Sequence, residues 1–221
     1  MSSLSPLFLH KSICVFDFDG TLVDSMQGFA DLAASLMAKH YACDPLQARQ
    51  NYLRTSGLPF FEQLEVLFPQ DSRNTQVAQL FESQKAQGYS LSPFFEEVPG
   101  VINHLQSEGI RVVISSNNQH ELVLDYLEKG PSLSFDLVLG FKENFAKGKA
   151  HFDKIREHFN CELRELLFVG DSIQDAKKAL DFGLDFVGRT GTFTSTDFLK
   201  LYPHLKTVDN LKELTPLLCK S

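Results

Sequence analysis

The chain has 221 residues, of which 43% are hydrophobic and 22% charged, the balance of a water-soluble globular protein with a core of its own. Its net charge of −7 argues against broad nucleic-acid binding, which depends on clustered Lys and Arg, and no stretch is apolar for long enough to read as a membrane helix. Met1-Ser2-Ser3-Leu4-Ser5 carries neither a basic patch nor a long apolar run, so no secretory signal is expected. The cysteines Cys14, Cys43, Cys161 and Cys219 show no CxxC spacing, which argues against zinc and for a reduced, cytoplasmic protein.

In chain order, Ile13–Phe16 is an apolar run that predicts a buried strand, and two acids, Asp17 and Asp19, follow it. Alternate residues of a strand share a side, so both carboxylates can face one site while Phe18 packs the other way. Ligands of open α/β sheets bind at the carboxyl ends of strands, and two close carboxylates repel unless a cation lies between them. Met26, Phe29, Leu32, Ala33 and Leu36 then recur at helical spacing, with Asp24 or Ser25 as the expected cap. Further helical patterns cover 45–54, 58–68 and 75–87. Beyond them the pattern changes. A helix opens at Val98-Pro99-Gly100-Val101, runs through Leu105 and is ended by Gly109. Strands at 111–115, 135–139, 166–169 and 185–188 alternate with helices at 121–127, 151–159 and 175–182. A short strand at 207–208 and a helix at 210–218 close the chain. Alternation of this kind predicts an α/β fold with a doubly wound parallel sheet. The first strand belongs to that sheet, so the expected division is a core of 1–24 and 94–221 interrupted by an all-helical insert at 25–93.

The segment Asp17-Phe18-Asp19-Gly20-Thr21, at the end of a strand, resembles the signature of the haloacid dehalogenase superfamily, and the downstream sequence follows that family's order of motifs. The second motif is a hydroxyl after an apolar strand; Val112-Val113-Ile114-Ser115-Ser116-Asn117-Asn118 supplies it, at Ser116 or, as the alternative, Ser115. The third is a lysine before the next helix. Ala146-Lys147-Gly148-Lys149-Ala150 offers Lys147 and Lys149, without the proline often found there, and counting from the following elements favours Lys147. The fourth is Gly-Asp-x-x-x-Asp, here Gly170, Asp171 and Asp175 after the run Leu167-Phe168-Val169. With its helices between motifs one and two, the chain is similar to the phosphoglycolate phosphatase-like members, in which such an insert caps the site.

The resemblance implies a Mg²⁺-dependent phosphatase acting on a small phosphorylated metabolite. Asp17 is then the nucleophile that forms an aspartyl phosphate, and Asp19 the acid and base. The implied metal ligands are the Asp17 side chain, the Asp19 backbone carbonyl and Asp171, with Asp175 acting through a water or orienting the loop. Ser116, the Asn117 backbone and Lys147 hold the phosphoryl oxygens, and Gly20 lets the chain turn tightly beneath the phosphate. No nucleic acid or membrane partner is expected, and monomer and homodimer both stay open. A phosphomutase of the same family stays open too, as does a member that binds a phosphorylated ligand or a partner without turnover; the Asp19 acid argues against a dehalogenase. A receiver-like signalling domain is disfavoured by the Asp-x-Asp-Gly-Thr turn and the insert. Phosphonate hydrolysis would need an imine-forming lysine in the cap, and Lys39 and Lys85, the lysines of that stretch, occupy no distinctive sequence setting. His120 and His151 lie near motif loops but read as structural. Phe60, Phe61, Phe94 and Phe95 read as packing, at the cap or its hinge. Gly188-Arg189-Thr190-Gly191-Thr192 either borders the site or is a plain loop.

Overall fold

A computed structural model of the chain describes Phe8 and residues 10–88, 92–130 and 132–219. Six parallel strands form one sheet in the order β3-β2-β1-β4-β5-β6. The strands are β1 (Ile13–Phe16), β2 (Arg111–Gln119), β3 (Leu137–Phe141), β4 (Leu166–Gly170), β5 (Asp185–Arg189) and β6 (Lys206–Val208). β1 is central because every residue in it is apolar and buried, as a strand covered on both faces requires. The chain order reverses at β1, since β2 and β4 flank it on opposite sides, and a crevice opens at such a point beyond the strand ends.

Between β1 and β2 come α1 (Met26–Tyr41), α2 (Pro45–Arg54), α3 (Phe60–Leu67), α4 (Asn74–Gly88) and α5 (Val98–Ser107). The segments leading to and from α1–α4 run side by side: Val23 bridges Phe94 in antiparallel fashion, and the Phe95 N–H donates to the Leu22 carbonyl at 3.0 Å. α5 ends as the sequence predicts. Gly109 adopts φ +78°, and the Ile110 N–H reaches back to the Leu105 carbonyl at 2.9 Å. The sheet is then covered by α6 (His120–Lys129), α7 (Lys149–Phe159), α8 (Ile173–Phe182), α9 (Ser195–Leu201) and α10 (Thr215–Leu218).

Two apolar clusters sandwich the sheet. One packs Phe16, Ile114 and Val169 against α5 and continues into α1 through Phe29, Ala30 and Ala33. The other holds Val15, Phe152, Phe168 and Phe198. Phe18 leaves the carboxylate side, as its alternation predicts, and is clamped edge-on between Phe94 and Tyr126.

The differences from the sequence reading are local. β2 runs on to Gln119, with its pairing to β3 shifted between Ser115 and Gln119. α9 was not expected: its apolar periodicity is too short to register, and a capping box at Thr194 and Asp197 starts it. The terminal helix of 210–218 divides into a 3₁₀ turn at Leu211–Leu214 and the short α10. Ser25 stands at the N-cap of α1 but makes no capping bond, because its hydroxyl is engaged elsewhere. All four cysteines are free thiols, and among the described residues no helix is long and apolar enough to cross a membrane.

Candidate active site

The ends of β1, β2 and β3, together with the loop before α7, converge on one cavity of about 220 Å³. Asp17, Asp19, Ser116, Asn117 and Lys147 wall it from the sheet side. Phe29, Tyr52, Phe60, Phe61, Phe81 and Lys85 wall it from α1–α4.

Lys147 is buried with its ammonium 2.7 Å from Asp17 and 2.6 Å from Asp175. Lys149, the alternative, is exposed and pairs with Asp153 on its own helix. The reason is positional. Gly148 caps α7 at φ +122°, so Lys147 precedes the helix and can turn inward, whereas Lys149 starts it and faces water. A similar parity separates the serines. Ser116 faces the cavity and its Oγ accepts from the Asn118 N–H at 3.1 Å. Ser115 points through the sheet, with its Oγ 2.9 Å from His151 Nδ1. Asn117 is tied down twice, accepting from the Lys147 N–H at 3.2 Å and donating to the Gly57 carbonyl at 3.3 Å.

Asp17, Asp171 and Asp175 are buried and place carboxylate oxygens within 4.8 Å of one another. Asp175 sits in the first turn of α8, where it accepts from Ser172 Oγ at 2.6 Å and the Ser172 hydroxyl accepts from the Asp175 N–H at 3.0 Å. Ser172, not Asp171, is therefore the N-cap of α8, and Asp171 is left to face Asp17. Burial pushes the Asp17 carboxyl up to about 6; Lys147 opposes that shift, and Asp175 and Asp19 add to it. Burial, then Asp17 and Asp175, hold Asp171 well above the carboxylate range. Burial disfavours the Lys147 charge, but Asp17 and Asp175 outweigh it and keep the ammonium above its ordinary range. Three carboxylates against one ammonium leave surplus negative charge in a dry place, and the donor atoms are all oxygen. That set fits a hard divalent cation.

Gly20 turns at φ +74°, and any Cβ there would lie 2.2 Å from Asp171 Oδ2. This close approach, rather than contact with the cavity, is what demands glycine. Asp19 accepts from Ser25 Oγ at 2.6 Å and from Asn118 Nδ2 at 2.6 Å. Four further residues partner the site, two of them in the loop that the sequence left open and two that it gave no role. Thr192 donates to Asp171, and Arg189 donates to the Gly20 carbonyl at 3.0 Å while pairing with buried Glu97 at 2.9 Å; the loop after β5 does border the site. Asn118 and Lys85 are the other two. Lys85 corrects the sequence reading: it is buried beside Asp19, at 3.9 Å, and its ammonium lies 4.7 Å from the Phe29 ring centre. One signal for it was present, because Val77, Phe81 and Lys85 recur at four-residue spacing and place a lysine on the apolar stripe of α4.

Comparison with known proteins places this arrangement. The model of one family, haloacid dehalogenase-like hydrolase, matches residues 14–189. The chain is 22% identical, over 91% of its length and 71% of the relative's, to Tyrosine-protein kinase PtkA of Mycobacterium tuberculosis. It is 27% identical, over 92% of both chains, to a Dickeya dadantii protein named Probable phosphatase IndB. A solved haloacid dehalogenase-like protein from Bacteroides fragilis superposes with a TM-score of 0.79 at 25% identity, over 92% of this chain and 99% of that one. The family match runs from β1 to the last residue of β5 and so takes in every strand end that walls the cavity: the chain belongs to the haloacid dehalogenase-like hydrolases.

Proposed function

We propose that the chain is a magnesium-dependent phosphatase that hydrolyses a small phosphomonoester through an aspartyl phosphate on Asp17. The observation that carries this reading is the buried Asp17–Lys147 pair, 2.7 Å apart, at the wall of a cavity and beside Asp171 and Asp175. Asp17 attacks phosphorus in line while Asp19 gives a proton to the departing oxygen; Asp19 then takes a proton from the water that cleaves the acyl phosphate. Lys147 cancels phosphoryl charge and restrains the nucleophile, and Ser116 with the Asn117 backbone holds the phosphoryl oxygens. Asp17, the Asp19 carbonyl and Asp171 are the proposed magnesium ligands, with Asp175 outside them. A bound cation there neutralises carboxylate and phosphate charge. Gly20 keeps the Asp19 turn close to Asp171. In this reading residues 25–93 act as a cap over a core of 1–24 and 94–221, excluding water and selecting the substrate.

The name of the Dickeya relative agrees with phosphate-ester hydrolysis. The name of the mycobacterial relative suggests a kinase instead. The test is release of p-nitrophenol from p-nitrophenyl phosphate by the wild type and Asp17→Asn, with Mg²⁺ and with EDTA. Wild-type turnover that EDTA stops and Asp17→Asn lowers by at least about 1,000-fold is expected. Turnover that survives Asp17→Asn, or a folded wild type without turnover on any phosphomonoester, would sink the reading.

A further inference from the structure

Two hydroxyl residues from the end of α2 line the cavity. Tyr52 is 5% exposed, and Ser56, four residues on and just past the helix end, is 3% exposed. The Tyr52 ring is fixed by packing, with the ring centres of Phe60 and Phe81 at 5.9 and 5.8 Å. Among the described residues its hydroxyl meets no hydrogen-bond partner. The buried Ser56 hydroxyl has none either. Burial, and then the nearby carboxylates of Asp19, Glu82 and Asp171, raise the Tyr52 phenol well above the ordinary tyrosine range, so its O–H is a standing donor. Buried polar groups are nearly always hydrogen-bonded, and leaving one unmade is costly. Two such hydroxyls at one cavity wall point to a ligand that supplies their partners.

The rest of that wall narrows the chemistry. Glu82 is exposed and lines the same cavity, where it offers an acceptor and a negative charge. Among the described residues, Lys85 is the one cation that the inserted helices bring to the cavity, and Asn118 and Asp19 already engage its ammonium. A carboxylate on the leaving group would be opposed by Glu82. A hydroxyl accepts from Tyr52 or Ser56 and can also donate to Glu82. Phe29, Phe60 and Phe81 cover the carbon skeleton, the usual pairing of an apolar wall with a few placed polar groups. We propose that Tyr52 and Ser56 select the leaving group by hydrogen bonding to its hydroxyls, so that the substrate is the phosphate ester of a neutral polyhydroxy compound and not of a hydroxy acid; the inference rests on the phosphatase reading above. A site built to bond a hydroxyl rejects the analogue that lacks it, because its own buried groups are then left unpaired.

The test is kcat/KM with Mg²⁺ on two matched pairs, glycerol phosphate against propyl phosphate and sorbitol phosphate against hexyl phosphate. Phosphoglycolate serves as the hydroxy-acid ester and p-nitrophenyl phosphate as the reference. Tyr52→Phe and Ser56→Ala each remove one hydroxyl and keep the packing, and equal Tm values check folding. The wild type is expected to favour the polyol member of at least one pair by roughly 100-fold or more. Tyr52→Phe should then lose roughly 10–100-fold on that polyol ester while its alkyl partner holds its rate or gains, and Ser56→Ala should shift the same ratio in the same direction. A merely structural role would lower all the esters together. Equal losses of that kind, a wild type that cleaves alkyl esters as well as polyol esters, phosphoglycolate as the best ester, or turnover of p-nitrophenyl phosphate alone would overturn the inference while the phosphatase reading stands. A folded wild type that cleaves none of the esters would overturn both.

Discussion

His151, fully buried beneath β2, shows at the scale of a single residue how the site constrains its surroundings. It faces Ser115 from the sheet, the Phe145 ring at 4.6 Å, and the positive charges of Lys147 and Lys178. Burial, then Lys147, pushes its imidazole down to about 3. A histidine held below its unfolded value of about 6.5 binds its proton more readily in the unfolded chain. Its contribution to stability is therefore complete above about pH 6.5 and is lost as the pH falls toward 3, at about 1.4 kcal/mol per pH unit for one proton. Urea unfolding at pH 7.5 and pH 5 should show the wild type losing more stability than His151→Asn, whose amide does not titrate. Identical losses in the two proteins would contradict this account. The upper part of the window is the informative one, because ordinary carboxylates begin to titrate below it.

Among the elements, the turn between α2 and α3 shows how the inserted helices are fastened to the sheet edge. Gly57 adopts φ +88°, and a Cβ there would stand 2.3 Å from Ser172 Oγ and 2.8 Å from Gln174 Cβ at the start of α8. Its carbonyl accepts from Asn117 at 3.3 Å and from Lys178 at 3.5 Å. One glycine thus touches both the β2 end and the helix that carries Asp175. Gly57→Ala should cost about 1–3 kcal/mol in urea unfolding, since alanine is strained at that φ as well as crowded. A loss below about 0.5 kcal/mol would mean that the turn relaxes freely and does not fasten the helices. A lower kcat/KM is expected alongside, because Ser56, Gly57 and Leu58 line the cavity.

For the whole molecule, the sheet order concentrates negative charge at one place. β1 and β4 are neighbours, so the acids at their ends meet, and the surplus charge of Asp17, Asp171 and Asp175 is a feature of the assembled sheet. A ligand that binds only the folded chain stabilises it by about 2.7 kcal/mol at 100 times its Kd. For a chain of this length that corresponds to a Tm rise of about 5–10 °C with saturating Mg²⁺. EDTA should reverse the rise, and Asp171→Asn should abolish it. A Tm indifferent to Mg²⁺ in the wild type would argue against a divalent cation among these carboxylates.

The sequence by itself determined the fold class and the order of the strands, because the period of buried residues and the placement of glycines are local properties; the short α9 escaped it. It also marked the strand ends that carry acids: Asp17, Asp19 and Asp171 each follow an apolar run that can only be a buried strand. What it left open depends on contacts between residues far apart in the chain. Lys147 lies 130 positions from Asp17, and counting along the chain favours it over Lys149 without showing what it meets; burial on one side of Gly148 and exposure on the other decided between the two. Ser25 reads as a helix cap, yet the tertiary structure gives its hydroxyl to Asp19. The loop of Arg189 and Thr192 reads only as one that borders the site or does not, and Lys85 only as a lysine on an apolar stripe; their partners Gly20, Asp171 and Asp19 sit on other elements and leave no local mark. Periodicity records which side of an element is buried. Which charge meets which across the cavity is settled only when the sheet and the inserted helices close on one another.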